Sequence, residues 1–356
     1  MSRNDRPRSL VLRAGARAAG RRREEGLHGE LFDTLVGASG GPKWLVLRPL
    51  DEVLIERVIR GRTTPLDTLG SSIGSFRHAC FAQSDPRAAL ERFAEGYVLQ
   101  AYDGVPSPEA ISQVSERILG DLLGEAGAAE IAANPTIRSH FVAARPRRGL
   151  DRDRGPRFQL ALAAAAAANA LSRGALGRSF ERVLFAAGKP AVEYVDLPTR
   201  PVPLTPANVA KALLASGSIP LVMAGVRDVP GIPGTLFDGG LLDYHFDFAF
   251  RRRPGLVLFP HFFDRITPGW FDQFLPWRAP RAADLDDVVL VAPGDEFVAS
   301  LPGGKVPDRN DFLSLPTSDR IQRWRAVIER SRVLAEELAG LFETPGGRLP
   351  ILPLPR

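Results

Sequence analysis

Two stretches within the first 83 residues each join an apolar run to a helix-patterned run through a glycine-rich corner. Glu30 to Val36 leads into Gly37-Ala38-Ser39-Gly40-Gly41-Pro42-Lys43, and Trp44 to Arg60 follows. Thr64 to Leu69 leads into Gly70-Ser71-Ser72-Ile73-Gly74, and Phe76 to Gln83 follows. In the first unit Leu45, Leu47, Leu50, Val53, Leu54 and Val58 leave one apolar stripe, and Pro42 marks a helix start. Strand, corner, helix, repeated, predicts an α/β fold: a parallel sheet with helices on its faces.

The rest of the chain extends that pattern. Asp85-Pro86 and Ser107-Pro108 open helices that run to about Tyr102 and Gly124, and Thr205-Pro206 opens one to Leu214. Thr136 to Ala144, Ser179 to Ala187, Gly255 to Phe259 and Asp287 to Val291 read as strands. Phe158 to Ser172 is an alanine-rich helix, Ser318 to Phe342 one long amphipathic helix, and Pro345 to Arg356 a tail. Residues 1–28 read as a basic arm with a helix from Gly15 to Glu25. The expected division is that arm, a main domain over 29–250, and an extension over 251–356 packed on the same domain. A chain of 356 residues can bury a large core.

Charged residues make up 24% and hydrophobic residues 44%, the balance of a soluble globular protein. A single cysteine, Cys80, excludes an internal disulfide and suits a reducing compartment. The N-terminus has no long apolar core, and the longest apolar run, Leu160 to Ala168, is too short to span a bilayer. The expected location is cytoplasmic, or peripheral at a membrane. Net charge is +5, and only Lys43, Lys189, Lys211 and Lys305 of the basic residues are lysine. The basic residues are not interleaved with stacking aromatics, so nucleic acid is not an expected partner. Arg145 to Arg157 (Arg145, Arg147, Arg148, Arg152, Arg154 and Arg157 against Asp151 and Asp153) reads as a solvated loop or a lipid-facing patch. Trp270 to Trp277 reads as a satellite core or an interfacial segment.

Three short motifs carry chemistry. Gly70-Ser71-Ser72-Ile73-Gly74 has the Gly-x-Ser-x-Gly form of a nucleophile elbow, in the strand–turn–helix setting that form requires. Its glycines let strand and helix approach closely, so that the Ser72 hydroxyl projects from a strained corner at a helix N-terminus. Taken alone, the same residues also spell an ordinary small-residue turn. Gly40-Gly41-Pro42-Lys43 offers backbone N–H groups to a phosphate or an oxyanion. Its spacing is not that of a Walker A loop. Phe237-Asp238-Gly239-Gly240 sets a carboxylate at a strand end on a flexible turn, a form it shares with common Asp-Gly turns. No His, Cys or carboxylate spacing suggests a metal, and no cofactor is expected.

In their order these motifs resemble the patatin-like phospholipase family. Gly40-Gly41-Pro42-Lys43 is similar to its oxyanion loop, Ser72 within Gly70 to Gly74 to its nucleophile, and Asp238-Gly239-Gly240 to its Asp-Gly-Gly turn. Ala215-Ser216-Gly217-Ser218-Ile219-Pro220 is similar to its small-residue stretch ending in proline. The chain departs from the pattern where Trp44 follows Lys43, Ser39 precedes Gly40-Gly41, and Leu241-Leu242-Asp243 follows Gly240. The resemblance spans about residues 29–248. It implies a three-layer α/β/α fold with a mostly parallel central sheet. It also implies a lipid acyl hydrolase, phospholipase A-like, in which Asp238 is general base to Ser72 without a histidine and the Gly40, Gly41 and Lys43 loop holds the oxyanion. Lipid or another ester is then the expected partner. Two rival readings remain at this point. One is a Ser72, Asp238 and His245 or His261 triad, in α/β-hydrolase order. The other is a lipid-surface protein without activity. Acyl transfer to an alcohol is open to the same dyad. His28, His78 and His140 read as structural or solvated.

Overall fold

A computed structural model describes residues 9–102, 104–147, 155–189, 192, 194–247, 250, 254–280, 284–343 and 351–354. Its strands are β1 Leu10–Ala14, β2 Phe32–Gly37, β3 Leu66–Ser71, β4 Ile137–Pro146, β5 Phe180–Ala186, β6 Thr199–Pro203, β7 Phe237–Asp238, β8 Leu256–Pro260, β9 Val288–Pro293 and β10 Ile351–Pro353. Its helices are α1 Ala16–Glu25, α2 Arg48–Leu54, α3 Ile73–Phe81, α4 Pro86–Leu99, α5 Pro108–Leu123, α6 Gly127–Ala133, α7 Pro156–Leu171, α8 Val209–Gly217, α9 Asp295–Ser300, α10 Asp311–Ser314, α11 Thr317–Arg330 and α12 Arg332–Glu343. The strands form one sheet in the order β10-β1-β9-β8-β2-β3-β4-β5-β6, with β7 against β4. Pairing is parallel from β9 through β8, β2 and β3 to β4, and antiparallel at β1–β9, β4–β5 and β4–β7. The fold is therefore α/β, with a mixed, mostly parallel sheet flanked by helices.

The central strands are buried along their length, as a sheet covered on both faces requires. β3 does this with the polar sequence Leu-Asp-Thr-Leu-Gly-Ser. Its Asp67 accepts two hydrogen bonds, at 2.7 and 3.0 Å, from Arg138, its register partner on β4. α3 packs on β2, β3 and β4 and is buried throughout. Close approach sets its position: a Cβ on Gly74 would lie 2.0 Å from the Gly37 carbonyl oxygen, and one on Gly70 would lie 2.6 Å from the Ser75 nitrogen. A buried ion pair clamps α3 to α2, where Arg77 Nε donates to Asp51 at 2.9 Å.

Several elements differ from the sequence reading. Residues 10–14, read as part of a basic arm, form β1, which pairs with β9 and β10. β10 itself lies within the expected tail. β6 and α6 were not expected. The helix expected over Trp44 to Arg60 is three pieces: a 3₁₀ turn Gly41–Leu47, α2, and a π turn Ile55–Ile59. The single helix expected over Ser318 to Phe342 breaks at Ser331, whose buried hydroxyl and N–H both donate to the Val327 carbonyl, at 2.8 and 3.0 Å. Among the described residues no helix is long and apolar enough to cross a membrane.

The glycine contact gives a test of this packing. Gly74→Ala is expected to force β2 from α3 and cost about 3 kcal/mol. Gly20→Ala, with nothing within 4 Å of the added methyl, is expected to gain up to about 1 kcal/mol of helix stability. Urea unfolding midpoints of both variants check the pair.

Candidate active site

Ser72 lies on the turn between β3 and α3 with φ 52° and ψ −130°. A serine there is strained, and the strain persists only if its surroundings hold it. They do so through Ser216, the buried residue near the end of α8. Ser216 Oγ accepts the Ser72 N–H at 3.0 Å, donates to the Val142 carbonyl at 2.6 Å and is bonded to Ser75 Oγ at 2.8 Å. The corner is thereby pinned to β4.

Sheet geometry brings Asp238 to the same place. β3 runs beside β4 as far as the Ser71–Val142 pair and then turns away at Ser72. β5 occupies the other edge of β4 from His140 to Pro146. β7, pairing Asp238 with Ala143 and Phe237 with Ala144, therefore fills the edge that β3 has vacated. Asp238 thus arrives level with Ser72, and the Ser72 hydroxyl donates to Asp238 Oδ2 at 2.7 Å. The other oxygen, Oδ1, accepts the Gly240 N–H at 2.7 Å. The two glycines after Asp238 fit tightly: a Cβ on Gly239 would lie 2.2 Å from the Val142 carbonyl oxygen, and one on Gly240 would lie 2.5 Å from Ser39 Oγ.

Burial raises the Asp238 carboxyl to about 6, against the Ser72 and Gly240 hydrogen bonds and the positive field of Arg309, which favour its charge. A carboxylate at that value is poised to exchange a proton near neutral pH.

The glycine loop faces this pair. The 3₁₀ turn starts at Gly41, φ 54°, so its first amide has no acceptor within the turn. Gly41 and Pro42 line the same cavity as Ser72. Gly40 packs on Phe262, whose ring a Cβ at Gly40 would meet at 2.5 Å. The loop is tied to the Asp238 segment, since Ser39 N–H donates to the Tyr244 carbonyl at 2.8 Å. Ser39 Oγ also bonds Ser71 Oγ at 2.6 Å, and Ser71 in turn donates to the Asp243 carbonyl at 2.6 Å. The Asp243 side chain is held by the buried Arg182 at 2.5 and 2.7 Å. Lys43 Nζ lies 5.8 Å from the Phe262 ring centre, and burial with the nearby Arg309 charge lowers it to about 8.

Two cavities meet at the dyad. One, of about 510 Å³, is lined by Asp238, Leu162, Tyr244, Trp270 and Phe271; the other, of about 650 Å³, by Ser72, Phe76, Tyr97, Ile111 and Phe312. Ile219, Leu221, Val222 and Arg309 line both. Each volume is that of a small-molecule site.

Other residues singled out in the sequence fall elsewhere. Neither His245 nor His261 hydrogen-bonds to Ser72 or Asp238. His245 Nδ1 accepts the Thr267 N–H at 2.9 Å, and His261 Nδ1 accepts the Phe263 N–H at 2.9 Å. Both are buried, and burial holds both below the ordinary histidine value, His261 at about 3. The histidine triad is therefore not assembled. His78 and His140 are buried and His28 is exposed. Cys80 is a buried helix side chain whose thiol burial raises. Within Trp270 to Trp277, Trp270 and Phe271 line the first cavity while Phe274 and Trp277 are exposed. Arg145 pairs with Glu181, Arg147 donates to the Gly177 carbonyl at 2.9 Å, and Arg157 is exposed. Arg148, Asp151, Arg152, Asp153 and Arg154 lie outside the described residues. Arg309 was not picked out from sequence, and Ser39 and Ser216 were named only as members of the glycine loop and of the small-residue stretch before Pro220, with no role of their own.

No family model and no curated protein matches the chain. Among solved structures, VipD from Legionella pneumophila aligns at 12% identity and a TM-score of 0.28 over 73% of this chain and 55% of its own. The ExoU-SpcU complex of the type III secretion system of Pseudomonas aeruginosa aligns at 14% identity and a TM-score of 0.33 over 88% of this chain and 52% of the other. The chain thus spans about half the length of either neighbour.

The Asp238 environment has a consequence for stability. The folded value, about 6, lies above that of an unfolded carboxyl, so ionisation opposes folding. Stability is full below the unfolded value and falls as pH rises through about 6. Asp238→Asn is therefore expected to be more stable than the natural protein at pH 8, by on the order of 2–3 kcal/mol, with the gain gone near pH 4. Urea midpoints at the two pH values measure it.

Proposed function

We propose that this chain is a serine hydrolase of lipid carboxylic esters, phospholipase A-like, working through a Ser72–Asp238 dyad and an acyl-enzyme. The observation that carries the reading is the direct 2.7 Å bond from Ser72 Oγ to a buried carboxylate raised to about 6, at the junction of two largely apolar cavities. The ordered resemblance of the three motifs to the patatin-like phospholipases supports it.

In this mechanism Ser72 Oγ attacks the ester carbonyl carbon while its proton passes to Asp238 Oδ2. The carbonyl oxygen becomes an oxyanion, received by backbone amides of the Gly40–Gly41 loop, with Lys43 adding positive potential. The C–O bond to the alcohol then breaks, and the alcohol leaves with the proton that Asp238 had taken. Water next gives a proton to Asp238 and attacks the acyl carbon, freeing the acid and returning the proton to Ser72. Two cavities suit such a substrate, one for the acyl chain and one for the alcohol portion. Val105, Leu221, Val222, Phe274 and Leu313 are exposed apolar residues that also line the cavities, so the openings are rimmed with surface that favours a lipid interface. Trp277, later in the same segment as Phe274, is also exposed, and peripheral membrane contact is part of the proposal.

Ester turnover is expected to fall about 10³-fold or more in Ser72→Ala and in Asp238→Asn, and to persist in folded His245→Gln and His261→Gln. For the natural protein kcat/KM should rise with pH through about 6, because Asp238 must be ionised to accept the proton. A chromogenic short-chain ester reads both effects, and free fatty acid released from mixed lipids by the natural protein but not by Ser72→Ala identifies the substrate. Liposome binding without turnover by either protein would favour the non-catalytic lipid-surface reading.

A further inference from the structure

Four residues form the wall common to both cavities, and three of them, Ile219, Leu221 and Val222, are apolar. The fourth, Arg309, sits on the loop between α9 and α10, far along the chain from every sequence motif. Its Nε lies 3.4 Å from where a Cβ on Gly41 would stand, so the side chain lies along the glycine loop. Its charge also reaches Asp238 and Lys43.

Arg309 differs from its arginine neighbour in this site. Arg320, which lines the Ser72 cavity, donates to the Val98 carbonyl at 3.2 Å and to the Gln100 carbonyl, and its guanidinium lies over the Phe312 and Trp324 rings. Arg309 has no such commitment. No carboxylate among the described residues lies within ion-pairing distance of it. The acids beside it in sequence are engaged: Asp308 with Lys305 at 2.7 Å and with the Asn310 amide, Asp311 with Trp324 Nε1 at 2.9 Å and with Lys305. Lys43 lies within reach of the Arg309 charge and also feels Asp308 and Lys305.

A half-buried guanidinium with no carboxylate among the described residues at ion-pairing distance, in the wall where two apolar arms of a substrate would join, is suited to an oxyanion between those arms. We propose that Arg309 selects esters that carry an anionic phosphate or carboxylate close to the scissile carbonyl. This rests on the hydrolase reading for its kinetics but not for its binding.

The test uses 1-lauroyl-lysophosphatidate and 1-lauroyl-glycerol, which differ only in the phosphate, and lauryl phosphate as a non-hydrolysable probe. The ratio of kcat/KM for the phosphate-bearing ester to that for the neutral one is expected to fall about tenfold or more in Arg309→Gln, the scale of one charge-assisted hydrogen bond. Arg309→Lys should keep most of the ratio. Assays at a pH well above 6 keep Asp238 ionised, so that a changed general base does not mimic the effect. By calorimetry, lauryl phosphate should bind the natural protein and Ser72→Ala alike and Arg309→Gln about tenfold or more weakly. An unchanged ratio together with unchanged lauryl phosphate binding in Arg309→Gln overturns the proposal. So does inorganic phosphate competing as well as lauryl phosphate in the natural protein, since that would mark a free-anion site. If Ser72→Ala retains full ester turnover while lauryl phosphate binding still depends on Arg309, the hydrolase reading fails and the anion site stands.

Discussion

A carboxylate that is to ionise inside a protein must have its lost water replaced, and Asp238 is supplied from three separate stretches of chain. Gly240 N–H binds one oxygen and Ser72 O–H the other, while Arg309 contributes a favourable field from the loop after α9. The supply is incomplete, which is why the group stays near 6 rather than at an ordinary carboxylate value. That incompleteness suits a general base. A better-solvated Asp238 would be a weaker proton acceptor, and a fully unsupported one would remain protonated.

The arrangement depends on one sheet edge. β3 stops pairing with β4 after Ser71, and β7 takes up the next two positions on β4. The strand that carries the hydroxyl and the strand that carries the carboxylate thus occupy the same edge in succession. Val142 joins the two: its carbonyl accepts from Ser216, which steadies the Ser72 amide, and it leaves no room for a side chain at Gly239. The glycines in this region have steric roles. Gly37 and Gly74 let β2 and α3 touch, and Gly240 passes under Ser39 beside the carboxylate.

What was legible in the sequence follows from these same demands. A close backbone approach requires glycine, and glycine shows in a sequence, so the corners at Gly40, Gly70 to Gly74 and Gly239-Gly240 could be found without a structure. Strands made of apolar runs, such as β8 and β9, were equally visible. β1 was hidden because Leu-Val-Leu-Arg-Ala is short and sits among arginines; Arg13 on it bonds Asp264 at 2.6 Å. β6, Thr-Arg-Pro-Val-Pro, carries two prolines and is mostly exposed, as an edge strand allows and a central strand does not. The break at Ser331 is not visible in the helical period, which runs on across it. Arg309 acts by where the fold brings it, and no local pattern marks such a residue.

The later part of the chain has a direct part in the site. β8 lies beside β2, the strand that feeds the glycine loop, so residues past 255 set the position of that loop through the sheet. Phe262 follows β8 and fills the space that Gly40 leaves open. Arg309 then closes the wall between the cavities. The glycine loop is therefore held between an early strand and a late aromatic ring, and the charge facing it comes later still. The hydrogen-bonded pair thus comes from two short motifs, and the wall between the cavities takes a residue from outside them. Arg309, with no carboxylate among the described residues at ion-pairing distance, sets a positive charge between two largely apolar cavities, where its field favours the ionised form of Asp238.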